Sequence, residues 1–125
     1  MNGKEYHCPV ELVIELISGK WKLLILRELM SGTRRFSQLQ KAIPGITQKM
    51  LTKQLRELEE AGLVHRKVYP EVPPRVEYSL TELGSSLEEI FDSMHRWGLR
   101  YMEYRIGRQA PLKTSTDLDH LKDRS

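Results

Sequence analysis

The sequence lacks three features that would each define a class of protein. It has one cysteine in 125 residues, Cys8, so a disulfide can form only if two chains join. No apolar run approaches the roughly 20 residues that a membrane span needs, and the N-terminus has no apolar signal core. The four histidines stand at no recognised metal-ligand spacing. We therefore expect a cytoplasmic protein that has no contact with membranes and binds neither a metal nor a cofactor.

Recognised catalytic motifs are missing as well. The sequence contains no phosphate-binding glycine motif, no nucleophile elbow and no paired-carboxylate arrangement. Its 39% hydrophobic and 30% charged residues are typical of a folded globular domain, and its length allows only one. We predict that residues 8–106 form this domain, that residues 1–7 form a flexible N-terminus and that residues 107–125 form a flexible polar tail.

Charge is distributed unevenly along the chain. The net charge of +3 and the isoelectric point near 9.1 are too modest to identify a binding partner. The segment from Gly32 to Arg56, however, contains no Asp or Glu, and we expect it to carry a positive field. Its basic residues are Arg34, Arg35, Lys41, Lys49, Lys53 and Arg56.

Apolar periodicity predicts four helices in the first half of the chain. The first begins at Pro9, and the second is an apolar central helix that ends at Ser31-Gly32. A short third helix starts near Phe36. The fourth has Thr47 as its N-cap and ends at Ala61-Gly62. Its apolar stripe consists of Leu51, Leu55 and Leu58.

Two strands and a long helix are predicted in the second half. The strands run through Leu63–Tyr69 and Val76–Leu80, and the proline-rich loop Pro70–Pro74 joins them. Thr81 is the predicted cap of one last long helix. The apolar stripe of that helix is longer than so small a domain can cover by itself, and it consists of Leu83, Leu87, Ile90, Phe91, Met94, Trp97, Tyr101 and Met102.

Three helices followed by a hairpin form the order of a winged helix-turn-helix, so the fold class is mainly α (α+β), with an added N-terminal helix and a long C-terminal helix. In that fold the helix before the hairpin reads DNA. Because the leucines of the fourth helix point inward, its periodicity turns a donor-rich face outward. The residues predicted to contact DNA from this helix and its cap are Thr47, Gln48, Lys49, Thr52, Lys53 and Arg56.

Two further groups are predicted to contact DNA. Arg34, Arg35 and Ser37, which precede or open the third helix, can hold backbone phosphate. Arg75, after the rigid proline loop, can enter a minor groove or bind phosphate. Each basic residue also has a simpler interpretation as a solvated surface charge.

The order and spacing of several segments resemble one family. These segments are CPVE from Cys8, ISGKWKLLIL from Ile17, RRFSQL from Arg34, PGITQKMLTKQLRELEEAGLVHR from Pro44, VYPEVPPRVEYSLTELG from Val68 and the Trp97-Gly98 pair. Together they resemble the HxlR-type family of winged-helix transcriptional regulators, whose architecture is related to that of the MarR regulators. The resemblance implies a homodimeric repressor or activator that binds double-stranded DNA at a palindromic operator. It also implies that the first and last helices pair the subunits, through Val10, Val13, Ile14, Ile90, Phe91, Met94, Trp97 and Tyr101.

The family resemblance gives Cys8 a candidate role. Some members sense electrophiles, aldehydes or oxidants through a cysteine at this position, whereas many carry the Cys-Pro pair with no such role. The positive end of a helix dipole favours the reactive thiolate of Cys8, and Glu5 and Glu11 oppose it. Two alternatives remain open at this point: a thiol-dependent redox enzyme that uses Cys8, and a winged domain that binds only protein through the last helix.

Overall fold

The computed structural model describes residues 8–108, which divide into two compact units between Ser86 and Leu87. The predicted flexible N-terminus, residues 1–7, and most of the predicted polar tail, residues 109–125, lie outside the described residues. Gly107, assigned to that tail, is instead the last residue of a helix. The single predicted domain over residues 8–106 thus spans both units, and its limits stay a prediction.

The first two helices follow the sequence pattern closely. Helix α1 is Pro9–Ile17, with Pro9 in its first turn, and helix α2 is Lys20–Met30. Between them Gly19 has a φ of 94°, a conformation that favours glycine and lets the chain turn sharply. Helix α2 is the predicted central helix, because Ile25 and Leu26 are completely buried.

The sheet has three strands, whereas the sequence predicted two. Strand β1, Arg34–Arg35, pairs antiparallel with β3, Arg75–Leu80, which pairs on its other side with β2, Val64–Tyr69. The predicted hairpin of β2 and β3 is therefore confirmed, and the third strand corrects the strand count. A strand of two residues is too short to show an alternating pattern in the sequence.

Helix α3 is Phe36–Ala42 and helix α4 is Gln48–Glu60. Both pack on α2 around the core of the first unit. Gly62, at a φ of 80°, terminates α4 in the left-handed conformation expected from Ala61-Gly62. The buried hydrophobic residues are Ile25, Leu26, Leu29, Leu39, Ile43, Ile46, Leu51, Leu55, Leu58, Leu63, Val64 and Tyr78.

The predicted last helix is divided in two. Helix α5 is Glu82–Ser85, and the long helix α6, Glu88–Gly107, begins only after Leu87. Thr81 caps α5 and not α6: its hydroxyl accepts from the Gly84 amide at 3.0 Å and donates to the Gly62 carbonyl at 2.7 Å. A Cβ at Gly84 would overlap the carbonyl oxygen of Leu63. Glycine therefore stands where a capping box would place Glu or Gln, because the backbone of Leu63, just before β2, passes too close for a side chain.

Candidate nucleic-acid interface

Helix α4 presents its polar face outward for a simple reason. Its three stripe leucines are at most 2% exposed, so the core fixes the rotation of the helix about its axis. Thr47 begins the helix as predicted, and its hydroxyl accepts a hydrogen bond of 3.1 Å from the Met50 amide. The opposite face is consequently free to meet a partner.

The five residues predicted on that face are all exposed: Gln48, Lys49, Thr52, Lys53 and Arg56. Within residues 8–108, the three cations among them lie within ion-pair distance of no carboxylate. The Thr52 hydroxyl donates to the Gln48 carbonyl at 2.8 Å, so what Thr52 can offer a base is its methyl group and an acceptor oxygen. The face combines free positive charge with an amide and a methyl, the groups that bind phosphates and base edges.

An ion pair holds α4 against α2. Lys22 Nζ lies 2.9 Å from Glu57 Oε1, and both side chains are partly exposed. The hydrogen bond from Lys22 lowers the pKa of Glu57; desolvation by burial opposes this shift, and the charges of Lys22 and Lys53 add to it. Sequence reasoning missed this pair, because nothing in the local pattern shows that α2 and α4 are neighbours.

Arg34 and Arg35 form strand β1, and Arg35 is also the N-cap of α3. The prediction that Arg34, Arg35 and Ser37 precede or open this helix is therefore confirmed, but the settings of the two arginines differ. Arg34 is turned back toward α2: its Nε lies 3.6 Å from Glu28 Oε1, and its Nη1 donates to the Thr33 carbonyl at 3.0 Å. Arg35 and Ser37 are exposed. Arg35 and Ser37 thus remain available to a partner, whereas Arg34 is already paired.

The wing arginine is also held within the protein. Arg75 Nη2 lies 3.3 Å from Glu71 Oε1, Arg75 Nε lies 3.6 Å from Glu77 Oε2, and the guanidinium lies 4.0 Å from the centre of the Tyr69 ring. Its side chain is 32% exposed. The structure therefore corrects the simpler interpretation of Arg75 as a solvated surface charge. Val72, at the tip of the same loop, is fully exposed.

A cleft lies between the wing and the start of α3. Its volume is about 560 Å³, and Arg35, Phe36 and Ser37 line one wall. The loop residues Glu71 to Pro74, together with Arg75 and Val76, line the other. The cleft therefore joins two of the segments that the sequence predicts to contact DNA.

Cys8 is exposed at the N-cap position of α1. Its carbonyl accepts from the Glu11 amide at 3.1 Å, while its side chain makes no capping hydrogen bond. The thiol is therefore accessible to a reagent. Among the described residues, no group of three His, Cys, Asp or Glu side chains is arranged to hold a metal ion.

Helices α1 and α6 each expose apolar side chains. In α1 these include Val10, 66% exposed, and Ile14, 59% exposed. In α6 the exposed members of the predicted dimer set are Met94, Trp97 and Tyr101. Val13 of α1 and Ile90 and Phe91 of α6 are partly covered. The Trp97 and Tyr101 rings stack with centroids 5.5 Å apart. None of the helices in residues 8–108 has the length and apolar character to cross a membrane.

The helices, the three-stranded sheet and the cationic face of α4 define the class: the chain is a DNA-binding transcriptional regulator of the winged helix-turn-helix type. The model of the HxlR-like helix-turn-helix family matches residues 16–106. The chain therefore belongs to the HxlR-like helix-turn-helix family, as its sequence motifs indicated.

Individual relatives agree with this assignment. The HTH-type transcriptional regulator YtcD of Bacillus subtilis is 47% identical over 126 residues, covering 100% of both chains. An HTH-type transcriptional regulator of Methanothermobacter thermautotrophicus is 51% identical over 113 residues, which cover 89% of this chain and 86% of that protein. Such relatives are regulators and not enzymes, so the alternative of a redox enzyme is set aside.

Solved structures give the same fold. The reduced form of the redox regulator HypR matches with a TM-score of 0.74 and 47% identity, covering 80% of this chain and 99% of that one. Its oxidised form matches with a TM-score of 0.68 and 53% identity, covering 73% and 94%.

Proposed function

We propose that the chain acts as a homodimer on a two-fold-symmetric operator and that α4 of each protomer enters the major groove. The exposed face of α4, which is free of acidic residues over its first nine positions, is the observation that carries this proposal. Gln48 and Thr52 read base edges, and Lys49, Lys53 and Arg56 bind phosphate or guanine. Half-sites then lie one helical turn, about 10 base pairs, apart. Because a regulator works where its operator DNA is, the proposed location of the protein is the cytoplasm.

The remaining predicted contacts take supporting roles in this proposal. Thr47 positions the first turn of α4, and Arg35 and Ser37 bind phosphate beside it. Arg34 and Arg75 reach DNA only if they leave their carboxylate partners. The functional domain spans residues 8–106.

The dimer would use the apolar faces of α1 and α6. Trp97 is 62% exposed and Val10 is 66% exposed in the isolated chain, so burying these two side chains in an interface lowers the free energy. A two-fold dimer buries the same surface on both protomers, as a palindromic operator requires. The set proposed for this interface is Val10, Val13, Ile14, Ile90, Phe91, Met94, Trp97 and Tyr101.

Footprinting of the purified protein on the DNA flanking its own gene tests the proposal. We expect a protected palindrome, bound by two protomers in sedimentation experiments. Equal affinity for all duplexes would contradict sequence-specific regulation. Each phosphate contact adds about one unit to the slope of the logarithm of DNA affinity against the logarithm of salt concentration. A domain that binds only protein makes no such contacts, so its binding would show no such dependence on salt.

We further propose that an oxidant or electrophile regulates DNA binding through Cys8. The exposed thiol supports this, as does the similarity to HypR, whose solved structures include oxidised and reduced forms. With diamide as the oxidant, two Cys8 thiolates of different chains lose two electrons, a disulfide forms, and the diazene becomes a hydrazine after taking up two protons. We expect diamide to change the gel shift of wild-type protein and to leave Cys8→Ser unaffected. An identical response of the two proteins would refute the sensing role.

A further inference from the structure

The outer face of the sheet contains a cluster of charges. Because cross-strand partners share a face, Arg35, Glu77 and Lys67 form one row across the three strands. Arg75, opposite Tyr69, lies beside this row. Glu77 therefore has Arg35 and Lys67 as cross-strand neighbours and Arg75 within ion-pair distance. Among residues 8–108, Glu71 on the wing loop lies within ion-pair distance of Arg75 only.

Arg75 is restrained but poorly satisfied. Its distances to Glu71 and Glu77, 3.3 and 3.6 Å, exceed the roughly 2.7–2.9 Å of strong charge-assisted hydrogen bonds. Its Nε is buried and has no hydrogen-bond partner. A phosphate group, with several acceptor oxygens, would satisfy this guanidinium better than the present arrangement does.

Of the two carboxylates, Glu71 is the one able to move away. It lies on the loop, and its side chain is 51% exposed, whereas Glu77 is 25% exposed in the central strand. Glu71 also lies on the segment that the proposed docking brings near phosphates, where an unpaired carboxylate would be repelled. DNA binding and the Glu71–Arg75 pair therefore compete for the same guanidinium.

We propose that Glu71 is a specificity-determining residue, which restrains Arg75 so that the wing engages DNA only when α4 is already bound to its operator. On an arbitrary duplex the Glu71–Arg75 pair stays closed and contributes no phosphate contact. On the operator the base contacts of α4 hold the wing in place, and phosphate replaces Glu71. This inference rests on the proposed function of α4.

The Glu71→Gln variant tests the idea, because it keeps the side-chain shape and removes the charge. We expect it to bind random-sequence duplex roughly two- to thirtyfold more tightly, from the release of one exposed ion pair in each protomer. Its salt slope should rise by about two units for a dimer. Its preference for the operator over random duplex should fall. Glu60→Gln, at the exposed far end of α4, is the matched control. It should change the affinity for each duplex less than twofold and leave the salt slope unchanged.

The Arg75→Ala background separates this role from simple charge repulsion. There we expect Glu71→Gln to lose most of its effect, because Glu71 acts through Arg75. An equal gain in both backgrounds would overturn the proposal. So would weaker operator binding by Glu71→Gln with no gain on random duplex, which a purely structural role predicts. If Lys53→Ala binds operator and random duplex as tightly as the wild type does, the proposed function of α4 fails, and this inference fails with it.

Discussion

Lys53 allows the DNA-binding proposal to be tested quantitatively. Its ammonium is exposed on α4 and forms no ion pair within residues 8–108. If Lys53 binds phosphate, Lys53→Ala removes one such contact from each protomer and two from the dimer. Each contact contributes about 0.9 units of slope, so the slope should fall by about 1.8. Between 50 and 200 mM salt, wild-type affinity should therefore decline roughly twelvefold more than that of the variant.

Fluorescence anisotropy with a labelled operator and a labelled random duplex, titrated at four salt concentrations, measures this slope. Lys53→Arg is the matched control, because it retains the charge and should retain the slope. Thermal stability should change by less than about 0.5 kcal/mol, since the side chain is exposed and lies outside the core.

Two outcomes would refute parts of the reasoning. An unchanged affinity and slope in Lys53→Ala would show that this face of α4 does not meet DNA. An unchanged slope with a loss confined to the operator would show instead that Lys53 reads a base. Only the first result would remove α4 from the interface.

Three further predictions concern stability and assembly. Gly84→Ala should destabilise the protein by about 1–3 kcal/mol, because the added Cβ would meet the Leu63 carbonyl. Thermal unfolding measures this loss, and Gly107→Ala, whose Cβ would meet nothing within 4 Å outside its own helix turn, should not destabilise the protein. Trp97→Ala should weaken dimerisation at least about thirtyfold in sedimentation equilibrium, and a variant with wild-type self-association would contradict the proposed interface. The pKa of Glu57 is lowered in the folded protein, so its pair with Lys22 stabilises the fold above pH 4.5, and this stabilisation is lost as the pH falls through the folded pKa. Glu57→Gln should therefore lower the free energy of unfolding by about 0.2–1 kcal/mol at pH 7 and leave it unchanged near pH 2. Denaturant titrations at the two pH values measure this difference.

The sequence predicted α4 well because the information is local. Three leucines at helical spacing, a Thr cap and a terminal glycine specify the start, the end and the buried face of this helix, and together they orient the polar face. The same holds for the β2–β3 hairpin, whose strands are separated by a run that includes three prolines.

The features that were missed depend on neighbours distant in sequence. Strand β1 exists only because Arg34 and Arg35 pair with the edge of β3, and two residues carry no pattern of their own. The break between α5 and α6 follows the anchoring of Thr81 to Gly62 and the close packing of Gly84 on the Leu63 backbone. The apolar stripe continues across this break, so periodicity alone predicted one helix.

Ion pairs decide which basic residues are free to act. Arg34 is paired with Glu28, and Lys22 with Glu57, in addition to the pairs of Arg75. Within residues 8–108, most basic residues of the acid-free segment lie within ion-pair distance of no carboxylate; these are Arg35, Lys41, Lys49, Lys53 and Arg56. A paired cation must first exchange its carboxylate for phosphate, so it adds less to affinity than a free one. The salt dependence of DNA binding should therefore follow the free cations of α4 and Arg35, and not the total of basic residues in the acid-free segment.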